Sequence, residues 1–150
     1  MQKFKFRLQT SLKVALKRED MQRIELHRCH TAYQEALDDL KQLQQQFATQ
    51  EEELRKIQLK QPQVEMMRLY RNFMLVLHLR IQEQSHQVKH LFSELTSCRL
   101  KLQALMQERK VLEKLEQRRW REYQQEVLRE EQKFIDELAL RGYGVKEATK

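Results

Sequence analysis

From Leu8 onward the chain returns to an apolar position every three or four residues, at 8, 12, 15, 19, 22, 26, 29, 33, 36, 40, 43, 47, 50, 54 and 57. Twelve of these fifteen positions are apolar or cysteine, and the exceptions are Glu19, Gln22 and Gln50. Alternating steps of four and three average 3.5 residues, the period that keeps one face of a helix against a partner helix. A second series runs through 67, 70, 74, 77, 81, 84, 88, 91, 95, 98, 102 and 105, with Gln84 its one polar member. Past Leu105 the register meets Arg109, Leu112 and Glu116. It recovers at 120, 123, 127, 134 and 138 if four residues are inserted, a stutter that locally unwinds a left-handed supercoil.

Between the two series lie Lys60, Gln61, Pro62 and Gln63. Pro62 is the chain's one proline, and a proline inside a helix removes a hydrogen bond and collides with the preceding turn. The pattern therefore predicts a helix over 4–58, a turn over 59–63 and a helix over 64–141. Gly142 is suited to the left-handed cap, and 142–150 form a mobile tail. Pairing positions whose numbers sum to 124 sets Ile57 against Met67, Phe47 against Leu77, Tyr33 against Leu91, Leu26 against Cys98 and Leu12 against Leu112. Pro62 falls at half that sum. The expected fold is all-α: a long antiparallel two-helix coiled-coil hairpin, with helix two overhanging its partner after about residue 120.

Composition narrows what such a fold can do. The 150 residues are 34% charged and 7% aromatic, a balance that suits a long helix with a thin core and provides no sheet punctuation. The net charge of +7 fits an acidic protein, a nucleic acid or an anionic surface, and selects none of them. The opening Met1–Arg7 has no apolar core of signal-peptide length, and two cysteines without one suit a reducing interior. The longest apolar run, Phe73–Leu77, is far below the roughly 20 residues a membrane span needs.

Two surfaces stand out as candidate contacts. Met66, Leu69, Phe73 and Val76 recur at helical spacing beside the seam. Two helices cannot bury both stripes, so this one reads as an exposed protein-contact patch. The second surface is basic. Lys3, Lys5, Arg7, Lys13, Lys17 and Arg18 come with no acid between them, and the hairpin brings them beside Arg109, Lys110, Lys114, Arg118, Arg119, Trp120 and Arg121. Glu108, Glu113, Glu116 and Glu122 interrupt the second run, unlike the basic region of a DNA-binding zipper, so nucleic acid is disfavoured.

Other residues call for less. Cys29 and Cys98 sit on the seam in neighbouring layers, a placement that leaves a bridge between them open, and read as small packing residues. His86 and His90 share a helix face without a third ligand, and His27 and His30 do no better, so no metal or cofactor is expected. No phosphate loop, nucleophile elbow or concave pocket is foreseen, so the chain does not read as an enzyme and no small-molecule substrate is expected.

Three stretches together resemble the FliJ family of flagellar export proteins: Phe4-Lys5-Phe6-Arg7-Leu8-Gln9-Thr10-Ser11-Leu12, Glu108-Arg109-Lys110-Val111-Leu112-Glu113-Lys114-Leu115, and Glu131-Gln132-Lys133-Phe134-Ile135-Asp136-Glu137-Leu138-Ala139. The resemblance implies an antiparallel coiled coil like the central stalk of rotary ATPases, working in the flagellar type III export apparatus. The end bearing both termini would enter the hexameric export ATPase ring, through Lys3, Lys5, Arg7, Arg109, Lys110, Arg118, Arg119 and Arg121. Tyr70-Arg71-Asn72-Phe73 and Leu77 look like the family's contact with the membrane-embedded export gate. With the apolar stripe, the implied gate surface is Met66, Leu69, Tyr70, Phe73, Val76 and Leu77. Escort of export chaperones, and a cytoplasmic location at the inner face of the inner membrane, follow from the same resemblance. The stalk of a virulence-type secretion system, a purely architectural coiled coil and a basic nucleic-acid-binding rod are the alternatives.

Overall fold

The computed structural model describes residues 3–61 and 63–147, with side chains as far as Arg141. Pro62, the expected centre of the turn, and 148–150 lie outside the described residues. Two helices are present, α1 (Gln9–Gln58) and α2 (Val64–Glu147), with no strand among the described residues. They pack against each other as an all-α helical hairpin.

The helix ends depart from expectation in two places. α1 begins at Gln9, not at Phe4, where the Gln9 amide donates to the Phe6 carbonyl at 3.1 Å and the Leu12 amide to that of Leu8 at 2.9 Å. Its first turn holds no acid, and Lys3, Lys5 and Arg7 precede it, so extending the helix backward would set three cations on its positive end. α2 runs through Gly142 to Glu147, past the expected cap and into the expected tail. No described glycine takes a positive φ, so none supplies the left-handed cap. A glycine held helical costs about 1 kcal/mol relative to alanine, which a long helix can absorb.

The reversal between the helices follows from local chemistry. Arg55 and Lys56 sit in the last turn of α1, where cations suit the dipole. The Lys60 amide then donates to the Ile57 carbonyl at 3.0 Å, and Gln61 turns the chain with φ of 54°. Glu65 lies in the first turn of α2, and the Met67 amide donates to the Gln63 carbonyl at 3.2 Å.

The chain divides into two compact units, Met1–Arg18 with Leu105–Lys150, and Glu19–Ala104. In the Glu19–Ala104 unit the seam buries Ala36, Leu77, Leu95 and Cys98, with Leu95 only 2% exposed. Two of its polar breaks, Gln22 and Gln84, bridge the helices. Gln84 Nε2 donates to the Ala36 carbonyl at 3.0 Å, and Gln22 Nε2 to the Cys98 carbonyl at 3.3 Å. A helical carbonyl has a second lone pair free for such a bond. Glu19 is buried and accepts from Arg23 at 2.6 Å. Among the described residues no buried side-chain polar atom lacks a partner. Tyr33 lies 5.7 Å from Phe92 and Phe47 lies 6.3 Å from His78, ring to ring. The numbers in these pairs sum to between 120 and 125, bracketing the expected 124, which is the mark of an antiparallel register.

In the Met1–Arg18 and Leu105–Lys150 unit the buried seam residues are Leu12 and Ala15. Here residues 3–8, ahead of α1, lie against α2. The Phe4 ring meets Trp120 edge-on at 5.0 Å and Tyr123 at 5.5 Å, and the Trp120 and Tyr123 rings are 5.7 Å apart. Phe4 lies four residues before Leu8, one step back along the repeat, and with Trp120 it sums to 124. From Leu128 to Arg141 every residue of α2 is exposed, as an overhang requires.

Candidate protein-contact surfaces

The first surface belongs to the Glu19–Ala104 unit. At 100° per residue, Met67, Tyr70, Met74, Leu77 and Ile81 fall on one stripe of α2, and Met66, Leu69, Phe73 and Val76 on a flank beside it. Burial separates the two stripes. Leu77 is 3% exposed and Tyr70 is half-buried, whereas Met66 is 52% exposed, Leu69 70%, Phe73 49% and Val76 48%. Leu59, Val64, Leu75 and Leu79 add further exposed apolar surface near the turn. Leu77, included in the gate surface by resemblance, has its side chain buried on the seam, behind the flank. Tyr70 reaches the surface only in part.

The second surface is the basic end of the other unit. Residues 3–8 lie along α2 and form an open groove of about 770 Å³ with Leu115, Arg119, Glu122, Tyr123 and Glu126. Lys3, Lys5, Arg7 and Arg119 thus share one groove with two carboxylates. A second groove, about 610 Å³, runs between Thr10–Arg18 and Glu108, Val111 and Leu112. Both are open and lack the enclosed, converging polar groups of a catalytic pocket.

The cations of this end are not equivalent. Arg109 is half-buried and bonds Glu113 at 2.6 Å, so its charge is already engaged. Arg118 and Arg119 both reach Glu122, at 3.0 and 3.1 Å, although their side chains remain more than two-thirds exposed. Exposed pairs of this kind are each worth about 0.3–0.5 kcal/mol and give way readily to a better partner. Among the described residues no ion pair holds Lys3, Lys5, Arg7, Lys110 or Arg121, and all five are exposed. Of the eight cations expected to meet a ring, these five present free charge, Arg118 and Arg119 present shared charge, and Arg109 is withdrawn.

Sequence reasoning missed Phe4, whose ring fixes residues 3–8 against α2 and so holds Lys3 and Lys5 in the groove. The signal was present, since the repeat extends one step before Leu8. No group of three or more His, Cys, Asp or Glu among the described residues is placed to hold a metal ion, and His90 instead lies 3.8 Å from Glu94. No helix of the described chain is long and apolar enough to cross a membrane.

A protein-family model described as Flagellar FliJ protein matches residues 4–148. Comparison with curated proteins and with solved structures gave no match.

Proposed function

The chain belongs to the FliJ family and so is a component of the flagellar export apparatus, and on that premise we propose that it couples the export ATPase ring to the membrane export gate. The observation that carries this reading is the exposed flank Met66, Leu69, Phe73 and Val76, an apolar stripe at anchor spacing that the hairpin leaves uncovered. Such a stripe costs solubility unless a partner covers it. The basic end supports the second contact, because Lys3, Lys5, Arg7, Lys110 and Arg121 offer unshared charge to an acidic lining of a ring. In this reading the gate-facing residues are Met66, Leu69, Phe73 and Val76, with Tyr70 at their edge. The chain sits at the cytoplasmic face of the inner membrane through that contact. Escort of export chaperones belongs to the same proposal and rests on family membership alone.

The test replaces Phe73 and Val76 together with Asp and measures binding to the purified gate protein, with helicity followed by circular dichroism. Binding should weaken by more than about tenfold, equivalent to the loss of about 1.4 kcal/mol or more, while helicity is unchanged. Undiminished binding by a fully helical variant would remove the flank from the interface. In a parallel arm, Lys3→Glu, Lys5→Glu and Arg7→Glu should weaken ATPase association and steepen no other property; equal association at low and moderate salt would remove the basic end.

A further inference from the structure

One pair of side chains is used by neither contact surface. In the Glu19–Ala104 unit, Cys29 of α1 and Cys98 of α2 face each other across the seam with their Sγ atoms 3.0 Å apart. Both are free thiols; Cys98 is buried and Cys29 half-buried. The bond from Gln22 Nε2 to the Cys98 carbonyl fixes the backbone of α2 against α1 at this layer. The thiols are 69 positions apart in the chain, so their meeting is a product of the hairpin register and not of local sequence. Among the described residues no group of three or more His, Cys, Asp or Glu that could hold a metal ion includes them.

We propose that Cys29 and Cys98 form a redox modification site, in which a two-electron oxidation joins them as one intrachain disulfide and staples α1 to α2. A disulfide needs the sulfurs at about 2.05 Å, so about 1 Å of approach closes the bond. The oxidant is a small-molecule disulfide of the glutathione type. Cys29, the more accessible thiol, loses its proton and attacks one sulfur of the oxidant, forming a mixed disulfide and releasing one small thiol. Cys98 then loses its proton and attacks the Cys29 sulfur, expelling the second small thiol. Two S–H bonds and the oxidant's S–S bond are exchanged for the protein's S–S bond and two small thiols, so atoms and electrons balance.

The surroundings make the site resistant at rest. The hydrogen bond with Cys98 and burial, with the nearby Glu25 and Glu94 carboxylates adding to them, push the Cys29 thiol up to about 11. At neutral pH Cys29 is a thiol with little thiolate, and the thiolate is the attacking form. Attack by Cys29 on the oxidant is therefore slow at neutral pH. Once formed, the bond closes a long loop, the case in which a cross-link restricts the unfolded chain most.

The experiment treats the full reduced chain with oxidised glutathione, then blocks residual thiols and measures mass, mobility and thermal unfolding. The expected product has lost both free thiols and two hydrogen masses and runs as a monomer on a non-reducing gel. It unfolds more than about 5 °C higher, and dithiothreitol reverses the shift. Cys98→Ser should stop at the mixed disulfide on Cys29. A wild-type chain that also stops there, that yields only intermolecular dimers, or that keeps both thiols while the urea-unfolded chain oxidises, would overturn the assignment.

Discussion

The seam and the flank of α2 are built from the same kinds of residue and meet opposite fates. Val76 and Leu77 are adjacent in the chain, similar in size and equally apolar. Leu77 is buried against α1, and Val76 is about half exposed. One hundred degrees of helical rotation separates them. A two-helix hairpin has a single inward stripe, so any apolar residue beyond it is surplus to folding. The difference teaches that hydrophobicity here reports two separate demands. The seam residues answer to the chain's own stability, and under the proposed function the flank residues answer to a partner.

Substitution separates these demands most sharply. Leu95→Ala opens a void at the most buried position of the seam and should destabilise by about 3 kcal/mol, read as a lowered urea midpoint. Phe73→Ala removes a larger side chain from the flank and should change stability by no more than about 0.5 kcal/mol. The larger residue having the smaller effect is the informative outcome. If Phe73→Ala proved as costly as Leu95→Ala, the flank would belong to the fold and its reading as a contact surface would fail.

A finer contrast lies within the seam, between its apolar layers and its polar breaks. Gln84 is half-buried, and its side chain is bonded to the Ala36 carbonyl. Gln84→Ala removes that bond and some packing, and should cost about 1 kcal/mol. Gln84→Leu should be nearly neutral or stabilising, because an apolar side chain of similar volume needs no partner. Both unfolding curves, taken together, decide whether Gln84 serves stability or register. A Gln84→Leu chain that is stable but populates a slipped pairing, seen as altered cross-linking between helices, would assign it to register.

Much of this architecture was legible in the residues because a 3.5-residue period is a property of backbone geometry. Nothing but a partner helix gives two mirrored series of that period a common use. The antiparallel register could be set to within a few residues, since Pro62 had to fall outside either helix. The off-seam flank was legible for the same reason, by failing to fit the period. What escaped was set by tertiary contact or by competition between local preferences. Phe4 packs outside α1 against Trp120 and Tyr123, more than one hundred residues away in the chain. Gly142 had the chemistry of a cap but continues as helix. Arg109 looked like its neighbours Lys110 and Arg118 until its bond to Glu113 withdrew it. The placement of Leu77 in the contact surface came from resemblance, and the seam periodicity had already put it inside.

The smallest test concerns the residue that joins the two stretches of helix. Gln61 holds φ at 54°, a left-handed conformation in which its Cβ crowds the backbone. That crowding costs about 1–2 kcal/mol for a residue other than glycine. Gln61→Gly removes the crowding but gives the unfolded chain more freedom, a loss of about 0.5–1 kcal/mol. The balance should be a gain of about 0.5 kcal/mol, seen as a slightly raised unfolding midpoint. Gln61→Val should move it the other way, because a β-branched side chain tolerates positive φ least. Should valine be neutral and glycine destabilising, the reversal would not pass through a left-handed Gln61.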